Sequence, residues 1–186
     1  PLQAVSIHLS AQTTPMAFDC VKLAVVRDGS AILYSPLGPR PIVLGDAVLV
    51  CSNTLCAADP EGYCNMTFVY IDTDYLIDQV FWKHVGLISD RLDARGLAKK
   101  LYLEPAQALH IGGERLKAIA PWLDELVRLT SRADYPQRFN RIQALWFLIA
   151  DSISPFINVS PVRLSRSQRE RLRPTMPRHR RFVPLR

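Results

Sequence analysis

The hydrophobic period of this chain changes near residue 72. Before that point apolar residues come in short runs broken by turn signals; after it they recur at three- and four-residue spacing. A chain divided in this way gathers its strands first and its helices second, which predicts an α+β fold. The 48% hydrophobic and 22% charged content suits a packed domain, and no apolar run approaches the ~20 residues that span a bilayer.

Within the first part, residues 18–26 are apolar and β-branched, Asp28-Gly29 reads as a hairpin turn, and residues 31–34 read as the returning strand. Pro36-Leu37-Gly38-Pro39 signals a second turn, Pro41-Ile42-Val43 a short strand, Gly45-Asp46 a third turn, and residues 47–51 a compact apolar strand. A polar stretch then leads to residues 63–71, where Met66, Phe68 and Tyr70 alternate with Asn65, Thr67 and Val69. Short strands at this spacing predict a small barrel or sandwich over about residues 1–72.

In the second part, Asp74 reads as the cap of a helix over about 74–85, with Ile77, Val80, Phe81 and His84 on one side. A short helix is expected over 92–101. Residues 106–111 read either as a late strand returning to the barrel or as the end of that helical region. Two clearer helices follow, over about 114–131 and 135–154, paired as an αα-hairpin. Pro121 interrupts the first of them and predicts a kink, or a start near Ala120.

Each of these two helices carries a second apolar stripe beside its main face: Ala118, Trp122, Glu125 and Leu129 on one, Arg141, Leu145 and Leu148 on the other. One reading wedges the pair between sheet and loops. The other gives the main face to the barrel and the stripe to a second subunit, with Ala118, Trp122, Leu129, Arg141, Leu145 and Leu148 as the dimer interface.

The charge is unevenly distributed. Nine of the 23 basic residues lie in 160–186 with a single acid, leaving 14 basic against 16 acidic residues in the body. The body is therefore nearly neutral, and the net +6 belongs to the tail. Its prolines favour an extended connector. Its arginines would attract phosphate with strong salt dependence and little sequence discrimination, and Phe182 alone supplies no stacking surface.

Signatures of catalysis are sparse. His8, His84, His110 and His179 lie far apart in sequence, with no His-x-His pair, so no metal is expected. Neither a Gly-x-Ser-x-Gly elbow nor a phosphate-binding glycine loop occurs, and no cofactor is implied. Asp59 with Glu61 and Asp72 with Asp74 fall at turns or caps, where acids serve the backbone. Cys20, Cys51, Cys56 and Cys64 form no Cys-x-x-Cys pair and read as reduced thiols. With no signal-peptide pattern at the start, a cytoplasmic protein is expected.

The succession of hairpin, Gly45-Asp46 turn, apolar strand 47–50, turn through Cys51-Ser52-Asn53-Thr54-Leu55-Cys56, strand 63–71 and helical hairpin resembles the N-terminal arm of AraC-type transcription regulators. The resemblance covers almost the whole body. It implies a cupin-like barrel that binds an effector, helices that form a homodimer, and a linker to a C-terminal pair of helix-turn-helix units that read DNA. Residues 1–159 would then be the sensor and dimerisation domain, and 160–186 the basic linker to a DNA-binding domain absent from this sequence, making only weak non-specific DNA contact itself. The chain departs from the related pattern at Cys51, Ser52, Asn53 and Leu55, with Cys56 where a histidine would stand. The competing expectation is a stand-alone, metal-free cupin-like binding protein or enzyme.

Strand alternation nominates the ligand-binding residues. Asp19 and Arg27 share a parity that would face solvent, which turns Cys20, Lys22 and Ala24 inward, and Tyr34, Cys56 and Tyr70 can converge on the same space. Lys22 stands out, because a lysine inside a barrel calls for an anionic partner such as an effector carboxylate, unless it reaches water at the rim.

Overall fold

The computed structural model describes residues 1–86, 88, 90–102, 104–131 and 135–159. The basic segment 160–186, with the linker expected there, lies outside the described residues. The described residues divide into two compact units, one formed by those of 1–76 and 104–158, the other by those of 77–102.

The first unit is built on a six-stranded sheet. Its strands are β1 (Leu2–Leu9), β2 (Val21–Ser35), β3 (Gly38–Val43), β4 (Asp46–Val50), β5 (Ala57–Ile71) and β6 (Ala106–His110). They run in the order β1-β5-β2-β4-β6, with β3 paired to the far half of β2, and every pairing is antiparallel. Residues 106–110 are thus the late strand returning to the sheet, placed beside β4 with Val50 opposite Ala106.

The sequence expectation is corrected at two places in this sheet. No hairpin forms at Asp28-Gly29; β2 runs on through it as one 15-residue strand. Gly29 instead sits between two register shifts against β5, with φ of +74°, where a Cβ would stand 2.2 Å from the Tyr63 carbonyl oxygen. The same turn chemistry serves a bulge as well as a hairpin. The hairpin lies at Pro36-Leu37, between Ser35 and its partner Gly38. The second is an addition, β1, a strand the turn and alternation signals did not single out, whose Leu2 and Ala4 are buried while its outer half is largely exposed.

Strand β2 is covered on both faces. Val21, Leu23 and Val25 join Val69 and Ile71 in a core shared with the helices, whereas Ala24 and Val26 join Val48, Val50, Cys56 and Met66 on the opposite side. The expected solvent parity of Arg27 is therefore wrong, since that face carries the helical layer. A strand buried on both sides reads as a continuous apolar run and conceals its facing.

Two helices form that layer: α3 (Gly113–Thr130) and α4 (Tyr135–Ile153). Leu116, Ile119, Leu123 and Leu126 of α3 and Ile142, Trp146 and Ile149 of α4 enter the core with the sheet. Each fully buried aliphatic side chain contributes about 1.5–3 kcal/mol. Pro121 does not start or end α3. It lies on the exposed side, so the carbonyl it leaves without an N–H donor can be hydrated.

Helix α1 (Thr73–Lys83) begins at the end of β5. Asp72, rather than Asp74, caps it, accepting from the Tyr75 N–H at 2.9 Å. Helix α2 (Arg91–Leu101) belongs to the second unit, where Asp90 accepts from the Asp93 N–H and Leu97, Leu101, Ile88 and Tyr102 form a small apolar cluster.

Candidate functional site

A cavity of about 110 Å³ opens on the face of β2 opposite the helices. Lys22 and Ala24 of β2, Val48 and Val50 of β4, and Met66, Phe68 and Tyr70 of β5 form its walls. The segment containing Met16 closes one side, held by paired hydrogen bonds of 3.1 Å between the Met16 and Cys56 backbones. Met16 and Ile7 are exposed and mark the mouth. An enclosed apolar cavity of ~150 Å³ accepts a benzene ring; this recess is smaller but open at its mouth, so a small ligand would fill it only in part.

Lys22 stands opposite Tyr70 in the pairing of β2 with β5. The Lys22 ammonium lies 4.9 Å from the Phe18 ring centre and 5.8 Å from that of Phe68, within range of a cation–π attraction. It has no salt bridge to a carboxylate among the described residues. Burial pushes its pKa below the ordinary lysine value, opposed by the neighbouring Cys56 and Cys20 thiols. Burial likewise raises Cys56, Cys20 and Tyr70, with Lys22 pulling the two thiols back. Burial thus works against the charged form at each of these groups, and an anion supplied from outside would shift Lys22 back toward its charged form.

Of the residues nominated from the sequence, Lys22, Cys56 and Tyr70 line this cavity. Cys20 sits beside Lys22 without lining it. Tyr34 does not converge; the register shifts around Gly29 reverse the parity of β2, so that Leu33 turns inward and Tyr34 is exposed. Phe18 and Phe68, whose rings lie beside the lysine, were missed; Phe68 shares the alternation of Tyr70, but the pairing that brings both rings to Lys22 is non-local.

The histidines are scattered. His8 accepts or donates at 2.7 Å with Asn65 and stacks on Tyr63, His110 meets Asp46 at 2.7 Å, and His84 lies in the second unit; His179 falls outside the described residues. Among the described residues no three of His, Cys, Asp and Glu gather at metal-binding distance.

The helical stripe divides when placed in the structure. Leu129 and Leu145 are core residues, 4% and 1% exposed, so neither can face a partner in this packing. Arg141 makes a two-point hydrogen-bonded pair with Glu125 across the hairpin, at 2.9 and 2.7 Å, which holds the Glu125 carboxyl below its usual pKa. Half of the stripe is therefore the seam between α3 and α4. Trp122 is half-buried, while Ala118 and Leu148 are exposed, joined by Ala144 and Phe147 on α4.

Sheet order, bulged central strand and helical layer define an α+β protein with a cupin-like sheet followed by a helical hairpin, as the sequence led one to expect. Among solved structures, the chain is similar to ToxT from Vibrio cholerae O395, an AraC-family regulator, at 14% identity and a TM-score of 0.50 over 87% of this chain and 61% of ToxT. A cupin superfamily protein from Desulfitobacterium hafniense matches 38% of the chain and 66% of its own length, at 14% identity and a TM-score of 0.36. An RmlC-like cupin from Methanocaldococcus jannaschii matches 38% of the chain at 16% identity and a TM-score of 0.35. The chain thus spans less than two thirds of ToxT. No family model matches it, and no curated protein matches it in sequence. No helix among the described residues is long and apolar enough to cross a membrane.

Proposed function

We propose that this chain is the sensor and homodimerisation module of an AraC-type transcription regulator, and that its cavity takes a small anionic effector with an apolar body. Lys22 carries the reading: an ammonium half-buried among aromatic rings, without a carboxylate partner among the described residues, lacks only an anion. The similar ToxT structure supports it, since that protein was crystallised with (E)-4-(8-methylnaphthalen-1-yl)but-3-enoic acid, a carboxylate on an apolar ring system. The module has no catalytic role and acts in the cytoplasm, and DNA is read by helix-turn-helix units of the full regulator. The arginines of 160–186 add only weak, salt-sensitive attraction to DNA.

The dimer uses the outer face of the helical hairpin, where Ala118 and Ala144 allow close approach and Trp122, Phe147 and Leu148 supply apolar area. The test joins this chain to a monomeric DNA-reading domain whose operator binding requires two copies. Operator binding that depends on the chain and responds to hydrocinnamate supports the reading. A monomeric chain that binds stoichiometric metal and turns over a small substrate overturns it in favour of a stand-alone cupin-like enzyme.

A further inference from the structure

The wall of the cavity is built in two ways. Ala24, Val48, Val50 and Met66 stand on strands paired across the sheet, whereas Thr13, Thr14, Met16 and Phe18 belong to residues 10–20, the connection from β1 to β2. Among the described residues that connection makes no strand ladder, only an isolated bridge between Met16 and Cys56. None of its residues is buried; Thr13, Phe18 and Cys20 are half-buried and the rest exposed.

Hydrogen bonds to residues 53–58 fasten it. The Thr13 N–H donates to the Ala58 carbonyl at 2.9 Å and the Ala58 N–H to the Thr13 hydroxyl at 2.9 Å, Met16 and Cys56 exchange two backbone bonds of 3.1 Å, and the Asn53 N–H donates to the Phe18 carbonyl at 2.7 Å. A segment held by peripheral hydrogen bonds, with no buried side chain of its own, opens at far lower cost than a strand covered on both faces.

Two of its side chains control access. Ile7, on one side of the mouth, is fixed by the pairing of β1 with β5, where it stands opposite Met66, so the movable side is Met16. Phe18 rides on the same segment with its ring centre 4.9 Å from the Lys22 ammonium, so lifting the segment uncovers the lysine.

We propose that residues 10–20 are a strap that opens at the Met16–Cys56 bridge to admit the ligand and closes behind it, returning Phe18 to its place beside Lys22. This rests on the reading of the cavity as the site of a small anionic effector, and adds the route by which that effector enters. Closure excludes water from the ammonium and the bound anion, which strengthens their attraction. A ligand that gains from closure shifts the strap toward its closed state.

The bridge can be locked. Residues that exchange both backbone bonds across antiparallel strands stand about 5.5 Å apart at Cα, inside the ~4.4–6.8 Å that a disulfide spans. Both side chains line the cavity, so the thiol introduced by Met16→Cys faces Cys56 and can be joined to it by mild oxidation. In the whole chain carrying Met16→Cys, hydrocinnamate association and dissociation are timed before and after oxidation, and peptide mass spectrometry identifies the link between positions 16 and 56. The oxidised form should bind and release about tenfold or more slowly, and reductant should restore both rates. In the parent chain, amide hydrogen exchange at Met16 and Cys56 should run about tenfold or more faster than at Leu23–Val25, which pair with strands on both sides, and should slow when hydrocinnamate saturates the cavity.

Equal binding rates in the oxidised and reduced forms overturn the strap and leave the cavity reading standing, as do Met16 and Cys56 amides that exchange no faster than those of β2. Failure of the two thiols to join contradicts the pairing on which the strap rests and overturns it as well. Hydrocinnamate that binds neither the parent chain nor the reduced variant removes the cavity reading and the strap together.

Discussion

Arg27 on β2 meets Asp124 on α3 at two points, with Nη1 3.0 Å from Oδ1 and Nη2 3.3 Å from Oδ2, while Nη1 also donates to the Thr67 hydroxyl at 3.1 Å. The arginine lies on the face of β2 opposite Lys22, so one strand carries both the cavity wall and the polar tie to the helical layer. Any displacement of β2 would therefore be passed directly to α3.

That tie is asymmetric in burial, with Arg27 21% and Asp124 64% exposed. Asp124→Asn should cost no more than about 1 kcal/mol, and the loss should shrink at about 1 M salt, where screening acts within ~3 Å. Arg27→Ala should cost more, about 1–2 kcal/mol, because it also strips the packed aliphatic stem and one partner of the buried Thr67 hydroxyl. Urea midpoints at low and high salt measure both.

The pH dependence of Lys22 follows from its burial. Its folded pKa lies below the ordinary 10.5, so between those two values the folded domain binds fewer protons than the unfolded chain. Stability should rise with pH across that window, and the cost of the buried charge should be fully present below it. A carboxylate ligand has the opposite dependence: its affinity should fall as pH rises through the folded pKa of Lys22. Lys22→Met should weaken hydrocinnamate by about tenfold to a hundredfold, the worth of a hydrogen bond to a charged group, while leaving the empty domain at least as stable. Calorimetric titration from neutral to alkaline pH, beside thermal melts, checks the two signs separately.

The order of elements was readable because turn residues and apolar periods are local. What escaped was non-local. Asp28-Gly29 looks the same whether it reverses a strand or bulges it, and only the approach of the Tyr63 carbonyl distinguishes the cases. The facing of Tyr34 followed from that error, since a bulge reverses parity for every later residue in the strand. Lys22, Cys56 and Tyr70 were legible as inward residues by alternation, but the aromatic surroundings of the lysine depend on pairing between β2 and β5 and on a loop packing beside them.

Gly29→Ala tests the bulge. With φ of +74° and a Cβ position 2.2 Å from the Tyr63 oxygen, both local strain and a backbone clash oppose the substitution. A loss of about 3 kcal/mol or more is expected, large enough to unfold a marginal domain. Gly38→Ala has a similar φ of +92° but nothing within 4 Å, so it should cost only the strain, about 1 kcal/mol. Equal losses in the two variants, read from denaturation curves, would mean that β5 does not approach β2 at Gly29.

Gln107 makes a different kind of tie. Its side chain, 2% exposed, donates to the Asn158 carbonyl at 3.0 Å and accepts from the Asn158 N–H at 2.8 Å, a side-chain imitation of strand pairing beside β6. Gln107→Leu removes both partners of that backbone group and should cost about 1–3 kcal/mol. Protease cleavage near Asn158 should accelerate in this variant before any change near β1. Cleavage that accelerates uniformly would indicate global destabilisation instead.

Leu145 and Leu148 lie three residues apart on α4 and should answer oppositely to the same substitution. Leu145 is 1% exposed and sits in the core with Ile119 and Leu123, so Leu145→Glu buries an unpaired carboxylate and should abolish folding. Leu148 is 45% exposed beside Phe147, so Leu148→Glu should change the stability of a protomer by no more than about 0.5 kcal/mol. If the outer face of the hairpin joins two copies, that variant should sediment as a folded monomer where the parent chain sediments as a dimer, because the introduced charges would meet across the two-fold axis. Persistence of the dimer in Leu148→Glu, with folding intact, would move the interface away from α4.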